Sequence, residues 1–404
     1  MKSQQNQSLP ISMFKPFYSH LQFTNILSCI IIFGCGLTLG MVLSFHLKNL
    51  SFNLNFTQVP LLPTQLQSLP PLPAALPPAP PALPPGPPVR HAGLAEYLKP
   101  SPIAHGMEDD ELLWRASVSP RISEYPFERT PKVAFLFLTK GPVLLAPLWE
   151  KFFKGHEGLY SVYVHSNPPW NETEPEASVF HSRRIPSKEV SWGKVNMIEA
   201  ERRLLANALL DVANERFVLL SETCIPLFNF STVYSYLINS TRTFVQAYDL
   251  LGPVGRGRYN SAMLPYIRVH DWRKGSQWFE MDRRLAVEVV ADRTYFPLFQ
   301  RHCKHACYAD EHYLPTLVNM RFGASNANRT LTWVDWSKGG PHPNRFRRND
   351  ITVGFLERLR DGNGTRCEYN GEATSVCFLF ARKFLPCSLD RLLRFAPKVM
   401  HFNR

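Results

Sequence analysis

A short and almost wholly apolar run marks the start of the part of the chain that can fold compactly. Residues 133–139 read VAFLFLT, and Lys140-Gly141-Pro142 follows at once, which predicts a buried strand and then a turn. Further segments alternate in type: a helix over 143–154, a strand over 160–165, a helix over 194–214, and strands over 217–221 and 243–248. This alternation predicts an α/β domain with a mixed, mainly parallel sheet flanked by helices.

The segment 194–214 carries the clearest helical period. Its apolar residues recur near one face; they are Ile198, Leu205, Leu209 and Val212. We expect its charged residues to lie largely on the other faces; they are Glu199, Glu201, Arg202 and Arg203.

The ends of the predicted strands indicate where a site should lie. In open α/β sheets, ligands bind in the crevice beyond the carboxyl ends of the strands. The loops that follow Thr139, His165 and Ser221 are therefore the places where we expect substrate to bind.

An uncharged apolar segment precedes the α/β pattern. Residues 26–45 contain no charge and are about as long as a bilayer core requires, roughly 20 residues. The segment begins well inside the chain and lacks a small-x-small cleavage site, so we predict a retained transmembrane helix at 26–47 after a cytosolic tail at 1–25. Lys2 and Lys15 precede it and Lys48 follows, so charge alone does not set its orientation.

Proline dominates the next segment. Residues 60–88 read PLLPTQLQSLPPLPAALPPAPPALPPGPP, a composition that excludes helix and sheet interiors and favours a semi-rigid polyproline II rod. After an anchor, this predicts a stem and lead-in over 48–130 that holds a domain over 131–404 away from the membrane. The alternative, a ligand for SH3-type modules, requires the cytosol.

Sequons and cysteines favour a lumenal domain. Five Asn-x-Ser/Thr sequons follow the anchor, at Asn171, Asn229, Asn239, Asn328 and Asn363. An even number of cysteines also follows it, which suits up to three disulfides in an oxidising compartment; they are Cys224, Cys303, Cys307, Cys367, Cys377 and Cys387. Zinc at Cys303 and Cys307 is the less favoured alternative, because no second pair lies at zinc-finger spacing.

The formal net charge of +12 indicates a surface that attracts anions. The basic residues are spread from Lys132 to Arg404 and do not form one block of the kind that binds nucleic acid. Two interpretations stay open: a generally soluble surface, or a site for a phosphate-bearing donor or an acidic polysaccharide.

Segments of the predicted domain match one known family in order and spacing. They read VAFLFLTKG (133–141), VSWGK (190–194), VLLSETCIPL (218–227), KGSQWFEMDR (274–283), YADEHYLPT (308–316) and TWVDWSKGGPHP (332–343). On these motifs, residues 132–400 resemble the core-2/I-branching β-1,6-N-acetylglucosaminyltransferases (glycosyltransferase family 14), in the plant branch related to brittle-culm proteins. The resemblance implies a GT-A-like fold, an inverting transfer from a UDP-sugar, with N-acetylglucosamine as the expected sugar, and no divalent metal or other cofactor.

The sequence also indicates whether a divalent metal is needed. No Asp-x-Asp pair, which holds a metal-bound diphosphate in many GT-A enzymes, occurs in the chain. Fixed Lys and Arg side chains can neutralise a leaving diphosphate instead. The resemblance assigns this role to Lys398. The animal enzymes add an arginine just before a Val-Cys pair; none stands before Val376-Cys377 here, and Arg382 or Lys383 is a possible substitute.

Inverting transfer needs one carboxylate that takes the proton of the acceptor hydroxyl. The resemblance places this catalytic base at Glu311, and we expect the neighbouring Asp310 to position the loop. A structural interpretation is also open, since carboxylates are favoured in the first turn of a helix.

For the donor nucleoside, the resemblance points to the end of the first strand, residues 138–140 with Thr139 at their centre, and to His165 at the end of the second. A merely structural role for His165 is also open. The animal enzymes carry an aspartate where His165 stands, so the contacts there differ. Trp192 and Lys194 occupy the loop that the family places beside the donor.

The acceptor candidates are Glu222, Trp336, Ser276 and Trp278. A tryptophan can stack on the apolar face of a sugar, and a carboxylate can accept bonds from two hydroxyls. A packing role is equally open for each of them.

The favoured interpretation is a Golgi type II membrane glycosyltransferase that binds a UDP-sugar and a glycan or glycoprotein acceptor. Donors such as UDP-glucuronic acid or UDP-xylose are alternatives within that class. A glycoside hydrolase would pair two carboxylates, for which Glu222 and Glu311 are available. A non-catalytic carbohydrate-binding or scaffold protein is the third class, and the missing arginine is the one feature that keeps it open. Turnover of a nucleotide sugar separates these classes.

Overall fold

A four-stranded mixed sheet organises the domain. In the computed structural model, which describes residues 93–122, 124–168 and 174–402, its strands are β1 (Lys132–Thr139), β2 (Tyr160–Ser166), β3 (Asn214–Ser221) and β5 (Glu280–Asp282). Their order is β2-β1-β3-β5. β1 is parallel to β2 and β3, and β5 is antiparallel to β3. The predicted α/β class with a mainly parallel sheet is confirmed.

β1 is a central strand because its side chains are apolar on both faces. Every residue after Lys132 is buried, as expected where helices cover both sides of a parallel sheet. Leu138 of β1 lies opposite His165 of β2 and Ser221 of β3. The register therefore brings the carboxyl ends of three strands to one edge.

Helices cover both faces of the sheet. The α-helices of the described residues are α1 (Leu94–Tyr97), α2 (Asp109–Ser117), α3 (Ala146–Phe153), α4 (Asn196–Leu209), α5 (Phe230–Ile238), α6 (Arg283–Ala291), α7 (Phe296–His302), α8 (Tyr313–Arg321), α9 (Val353–Arg360) and α10 (Leu389–Phe395). α4 packs on one face, together with α2 and α6. On the other face, Phe135 of β1 contacts Trp149 and Phe152 of α3 and Phe230 of α5. Successive residues of β1 thus belong to two different cores.

A second sheet joins segments that are far apart in the sequence. Its strands are β4 (Ile225–Pro226), β6 (Thr332–Val334) and β9 (Phe380–Arg382), in the order β4-β9-β6. Between β6 and β9 the chain forms a hairpin of β7 (Cys367–Tyr369) and β8 (Glu372–Thr374). Since β4 follows closely on β3, the last strand of the chain reaches the carboxyl edge of the main sheet.

Two disulfides form from the predicted cysteines. Cys303 bonds to Cys307, and Cys367 bonds to Cys377. A disulfide at Cys303 and Cys307 replaces the zinc alternative, because the two sulfurs are bonded to each other. Cys224 is buried and Cys387 is exposed, and both are free thiols, so the third predicted pairing does not form.

The strand predicted over 243–248 is wrong. Thr243 bridges to Asn326, Phe244 to Glu280 and Tyr248 to Lys274. The segment therefore pairs one residue at a time with different neighbours and builds no continuous ladder. The fourth place in the main sheet is taken by β5, whose three residues are too few to show a period of two.

Three of the four charged residues on α4 are buried, although they were expected on faces away from its apolar residues. Glu201, Arg202 and Arg203 are buried, because α2 and α6 pack over the helix. Each has a partner: Arg203 bonds both oxygens of Asp109 at 2.8 Å, Arg202 donates to the carbonyl of Val290, and Glu201 accepts from Gln277.

Several predictions concern residues outside the described ranges. The transmembrane helix at 26–47, the stem up to residue 92 and the sequon at Asn171 lie there. Within the described ranges, no helix combines the length and the apolar character needed to cross a membrane. Of the remaining sequon residues, Asn229 caps α5 by accepting from the amide of Thr232; Asn239, Asn328 and Asn363 are exposed.

A buried ion pair fixes β5 to β3. The Arg216 guanidinium bonds both Glu280 oxygens at 2.6 and 2.8 Å, and the two side chains are 4% and 1% exposed. The same guanidinium donates to the carbonyl of Arg242. The charges are thus compensated by several hydrogen bonds, which a buried pair requires.

We expect Glu280→Gln to lower the free energy of unfolding by about 3–5 kcal/mol, because it leaves the Arg216 charge buried without its partner. The exposed pair Arg242–Glu368 supplies the control: Glu368→Gln should change the same quantity by less than about 1 kcal/mol. Urea denaturation followed by circular dichroism measures both. Equal, small effects would mean that the buried pair does not hold β5.

Candidate active site

A cleft of about 1220 Å³ opens at the edge where β1 and β3 end. Leu138, Thr139 and Lys140 line it from β1, and Ser221 and Glu222 line it from β3. The remaining walls come from loops: residues 274–278, 308–311, 330–345 and 378–383 all contribute. The position is the one that the strand order predicts.

Glu311 lines this cleft at the end of a short 3₁₀ turn, Ala309–Glu311. Its Oε2 accepts a hydrogen bond from the Arg258 guanidinium at 2.7 Å and another from the Lys274 ammonium. Its main-chain carbonyl accepts from the amide of Gly275. Both charge-assisted bonds fall on the same oxygen, so Oε1 is left to accept a proton.

Two neighbouring carboxyls in this turn differ in the direction in which their pKa is shifted. Burial raises the pKa of Glu311. The hydrogen bonds and charges of Lys274 and Arg258 together lower it by more, so the pKa lies below its ordinary value. Burial, followed by the charge of Glu311, raises the pKa of Asp310 to about 6. Asp310 Oδ1 is buried and has no hydrogen-bond partner within the described part of the chain; the side chain caps no helix.

Residues 274–278 (KGSQW) connect the parts of the site and are named here the bridging segment. Lys274 bonds Glu311, and Gln277 donates to the buried Glu201. The ring of Trp278 lies 4.1 Å from the Arg382 guanidinium carbon. Gly275 has no room for a side chain, since a Cβ there would lie 1.8 Å from the carbonyl oxygen of Gln246.

Four cations, Lys140, Arg345, Arg382 and Lys383, line the same cleft as Glu222 and form what we name the cationic cluster. Burial, and then the charges of Arg382, Arg345 and Lys140, lower the pKa of Lys383. Burial also lowers the pKa of Arg382, whose Nε is buried without a hydrogen-bond partner among the described residues. Because burial and mutual repulsion disfavour the charged forms of these side chains, a bound anion would stabilise them.

Aromatic rings form part of the rim. Trp192 is 51% exposed, and its ring centroid lies 5.2 Å from those of Tyr308 and His342. Gly193 has a φ of +72°, and a Cβ there would lie 2.9 Å from the Tyr308 ring. The loop therefore needs glycine beside Trp192, which leaves an exposed indole on which a base or a sugar can stack.

The structure brings most of the predicted site residues into this cleft: Thr139, Trp192, Glu222, Ser276, Trp278, Glu311, Trp336, Arg382 and Lys383. Glu222 was predicted to bind the acceptor, but the structure places it among the cations. Their roles as ligands stay predictions.

Three predicted donor contacts are not brought to the cleft. His165 is fully buried, with its Nε2 near the amide of Lys188 at 3.3 Å; burial, and then the charge of Arg203, lower its pKa to about 4, so it is a neutral structural histidine. Lys194 and Lys398 are exposed and do not line the cleft. The position of His165 at a strand end, and of Lys194 and Lys398 near family motifs, did not predict whether these side chains line the cleft. Neither kind of position fixes the direction of a side chain.

Sequence reasoning missed Arg258, Lys274 and Arg345 as site residues. Arg258 ends a short 3₁₀ turn and Arg345 lies in a loop, and their place follows only from the tertiary fold. Lys274 had a signal, because it opens the KGSQW motif. Lys140 was expected near the donor, as the last residue of the strand end 138–140, and it lines the cleft.

Comparison with known proteins agrees with this geometry. Residues 133–360 match the family model of the Core-2/I-Branching enzyme, so the chain belongs to this family of glycosyltransferases. A relative is the Glycosyltransferase BC10 of Oryza sativa subsp. japonica, which is 35% identical over 306 residues, covering 65% of this chain and 76% of the relative. The enzyme class and the family predicted from the sequence are confirmed.

We expect Gly275→Ala to lower the free energy of unfolding by about 1–3 kcal/mol, because the new methyl group must displace the backbone of Gln246. Glycosyltransfer should fall by about 100-fold, since a shift of about 1 Å between Lys274 and Glu311 is enough for such a loss. Gly323→Ala is the matched control, as no atom lies within 4 Å of its Cβ position. Thermal unfolding and sugar transfer measure the two effects.

Proposed function

We propose that this glycosyltransferase moves a sugar, with N-acetylglucosamine as the expected one, from a UDP-sugar to a hydroxyl of a glycan or glycoprotein, with inversion and without a metal ion. One observation carries the proposal. A single cleft contains an ionised carboxylate held by two cations and, separately, the cationic cluster with Glu222.

Glu311 acts as the base in this proposal. The acceptor hydroxyl gives its proton to Oε1, and the acceptor oxygen attacks the anomeric carbon. The bond from that carbon to the diphosphate oxygen breaks, and UDP leaves with the electron pair. Lys274 and Arg258 hold Oε2, which keeps the carboxylate ionised and oriented.

The cationic cluster receives the diphosphate. Lys383 and Arg382 project from the end of β9, and Lys140 projects from the end of β1. Preorganised cations that face a developing negative charge stabilise the transition state. Because four of them meet here and the chain lacks an Asp-x-Asp pair, side chains can replace the usual divalent ion.

The Golgi lumen is the proposed location, with the chain anchored as a type II membrane protein. The apolar residues 26–45, the proline-rich residues 60–88 and the sequons support this topology. The disulfides Cys303–Cys307 and Cys367–Cys377 fit an oxidising lumen.

We expect Glu311→Gln to reduce transfer by at least about 100-fold, the contribution of a positioned base, with donor affinity largely kept. The measurement is UDP release by the purified full chain with a panel of UDP-sugars. Transfer at the wild-type rate in this variant would reject Glu311 as the base.

We expect Lys383→Met to raise the donor KM by about tenfold or more, because a charge-assisted bond contributes about 1.5–3 kcal/mol. Lys151→Met, at an exposed position of α3 outside the cleft, should leave KM unchanged. A larger effect of Lys398→Met than of Lys383→Met would move the diphosphate site to the C-terminal segment.

We expect transfer to persist in excess EDTA, since the cationic cluster neutralises the leaving group. Assays with and without added manganese measure this. Loss of transfer in EDTA with recovery in manganese would contradict the metal-independent part of the proposal and leave the glycosyltransferase assignment intact.

A further inference from the structure

Lys274 makes one side-chain contact among the described residues, the ion pair with Glu311. Its side chain is 15% exposed, and its backbone is fixed on both sides. The backbone of Lys274 exchanges hydrogen bonds with that of Tyr248, and the next amide, of Gly275, bonds the carbonyl of Glu311. The ammonium group is therefore held against the carboxylate by main-chain contacts on each side.

Arg258 is engaged differently. Its guanidinium bonds the same carboxylate oxygen but also lies 4.3 Å from the centre of the Tyr308 ring. An arginine stacked in this way stays charged at all relevant pH values. Of the two cations, Lys274 is the one dedicated to Glu311.

The adjacent Asp310 provides a comparison within the same turn. It lines the same cleft and is buried, but no cation bonds its carboxylate within the described contacts. Burial, and then the charge of Glu311, raise its pKa to about 6, whereas the pKa of Glu311 lies below the ordinary value. The cations that bond Glu311 account for this difference between neighbours.

The other titratable groups around Glu311 do not substitute for Lys274. Burial lowers the pKa of His312 to about 4, so this ring is neutral at mildly acidic pH. Burial, and then the charge of Glu311, raise the pKa of Tyr248, which leaves the phenol neutral. Asp310 adds negative charge when it ionises. The groups that face Glu311 are Tyr248, Arg258, Lys274, Asp310 and His312.

We propose that Lys274 is a positioning residue that extends the range over which Glu311 can accept a proton into mildly acidic pH. This rests on the proposed role of Glu311 as the base. A folded-state pKa that is depressed keeps the carboxylate ionised until the pH falls through that value. Loss of Lys274 therefore moves the acid limb of activity to higher pH.

The test is the pH dependence of kcat/KM for the full chain, with UDP release as the readout. Lys274→Met should shift the acid limb up by about one pH unit or more, the usual effect of one adjacent opposite charge. The alkaline plateau should change much less. Lys274→Arg should return the limb towards wild type, and Lys274→Gln serves as a second neutral variant if the methionine variant folds poorly.

Two control variants separate this role from others. Arg256→Met breaks an exposed ion pair with Asp249 at a residue that does not line the cleft, and should leave the limb in place. Lys140→Met removes a cation of the cluster, and should raise the donor KM without moving the limb. An unmoved limb in both neutral Lys274 variants, or an equal loss at every pH, would overturn the proposal.

A second readout does not depend on the donor. Glu311→Gln is introduced into wild type and into the Lys274→Met chain, and the change in the unfolding midpoint that it causes is measured in each. The pH runs from about 4 to 7, on either side of the ordinary carboxyl pKa. Above the acid range, it should destabilise wild type, because the ionised carboxylate is paired with two cations, and it should destabilise the Lys274→Met chain less, because only Arg258 is left to oppose burial. An equal effect in both backgrounds would overturn the proposal for Lys274. A wild-type chain that turns over no UDP-sugar would instead sink the proposed function, and the unfolding data would still decide on Lys274.

Discussion

The close backbone approach at Gly275 is the constraint on which the site depends. The amide of Gly275 bonds the carbonyl of Glu311, and the carbonyl of Gln246 lies where a side chain would begin. Because the chain cannot separate at this point, Lys274 is held against the base. From there the bridging segment passes Trp278, on which Arg382 rests, and enters β5. One contact between main chains therefore sets the relation of the base to the cationic cluster.

The cleft divides its charge in a way that suits displacement of a diphosphate. At Glu311 two cations meet one ionised carboxylate, with the buried Asp310 beside it. In the cationic cluster, by contrast, four cations meet a single carboxylate, that of Glu222. The first group can hold a proton acceptor in its ionised form, and the second is completed by an anion. A proton and a diphosphate can thus leave the reacting centre towards different walls of the cleft.

The sequence predicted those features that rest on local periodicity. The three long strands and α3 and α4 appear where their apolar patterns placed them, because burial on both faces leaves a clear signal. The segment 243–248 has a strand-like composition, yet it pairs with residues from three different regions, which no local pattern encodes. The burial of charged residues on α4 was not predictable for a similar reason, since α2 and α6 are brought over them only by the tertiary fold.

For the site, the resemblance pointed to Glu311, which lines the cleft, and to Lys398, which does not. Arg382 and Lys383 were named only as substitutes for a missing arginine, and both line the cleft. Local sequence does not predict the side-chain directions of Arg258 and Arg345, because their places depend on the tertiary fold. His165 lies at the expected strand end, but its side chain is fully buried.

The position of β9 has a consequence for the biosynthesis of the enzyme. Lys140 follows the first strand of the sheet, whereas Arg382 and Lys383 lie at the end of β9, far along the chain. Domains begin to fold from the N-terminus while the ribosome is still at work, so β1 to β3 can pair long before β9 is made. A nascent chain that stops before β9 can therefore contain a complete main sheet and still lack half of its cationic cluster. The cleft gains its full positive charge only once β9 has been synthesised.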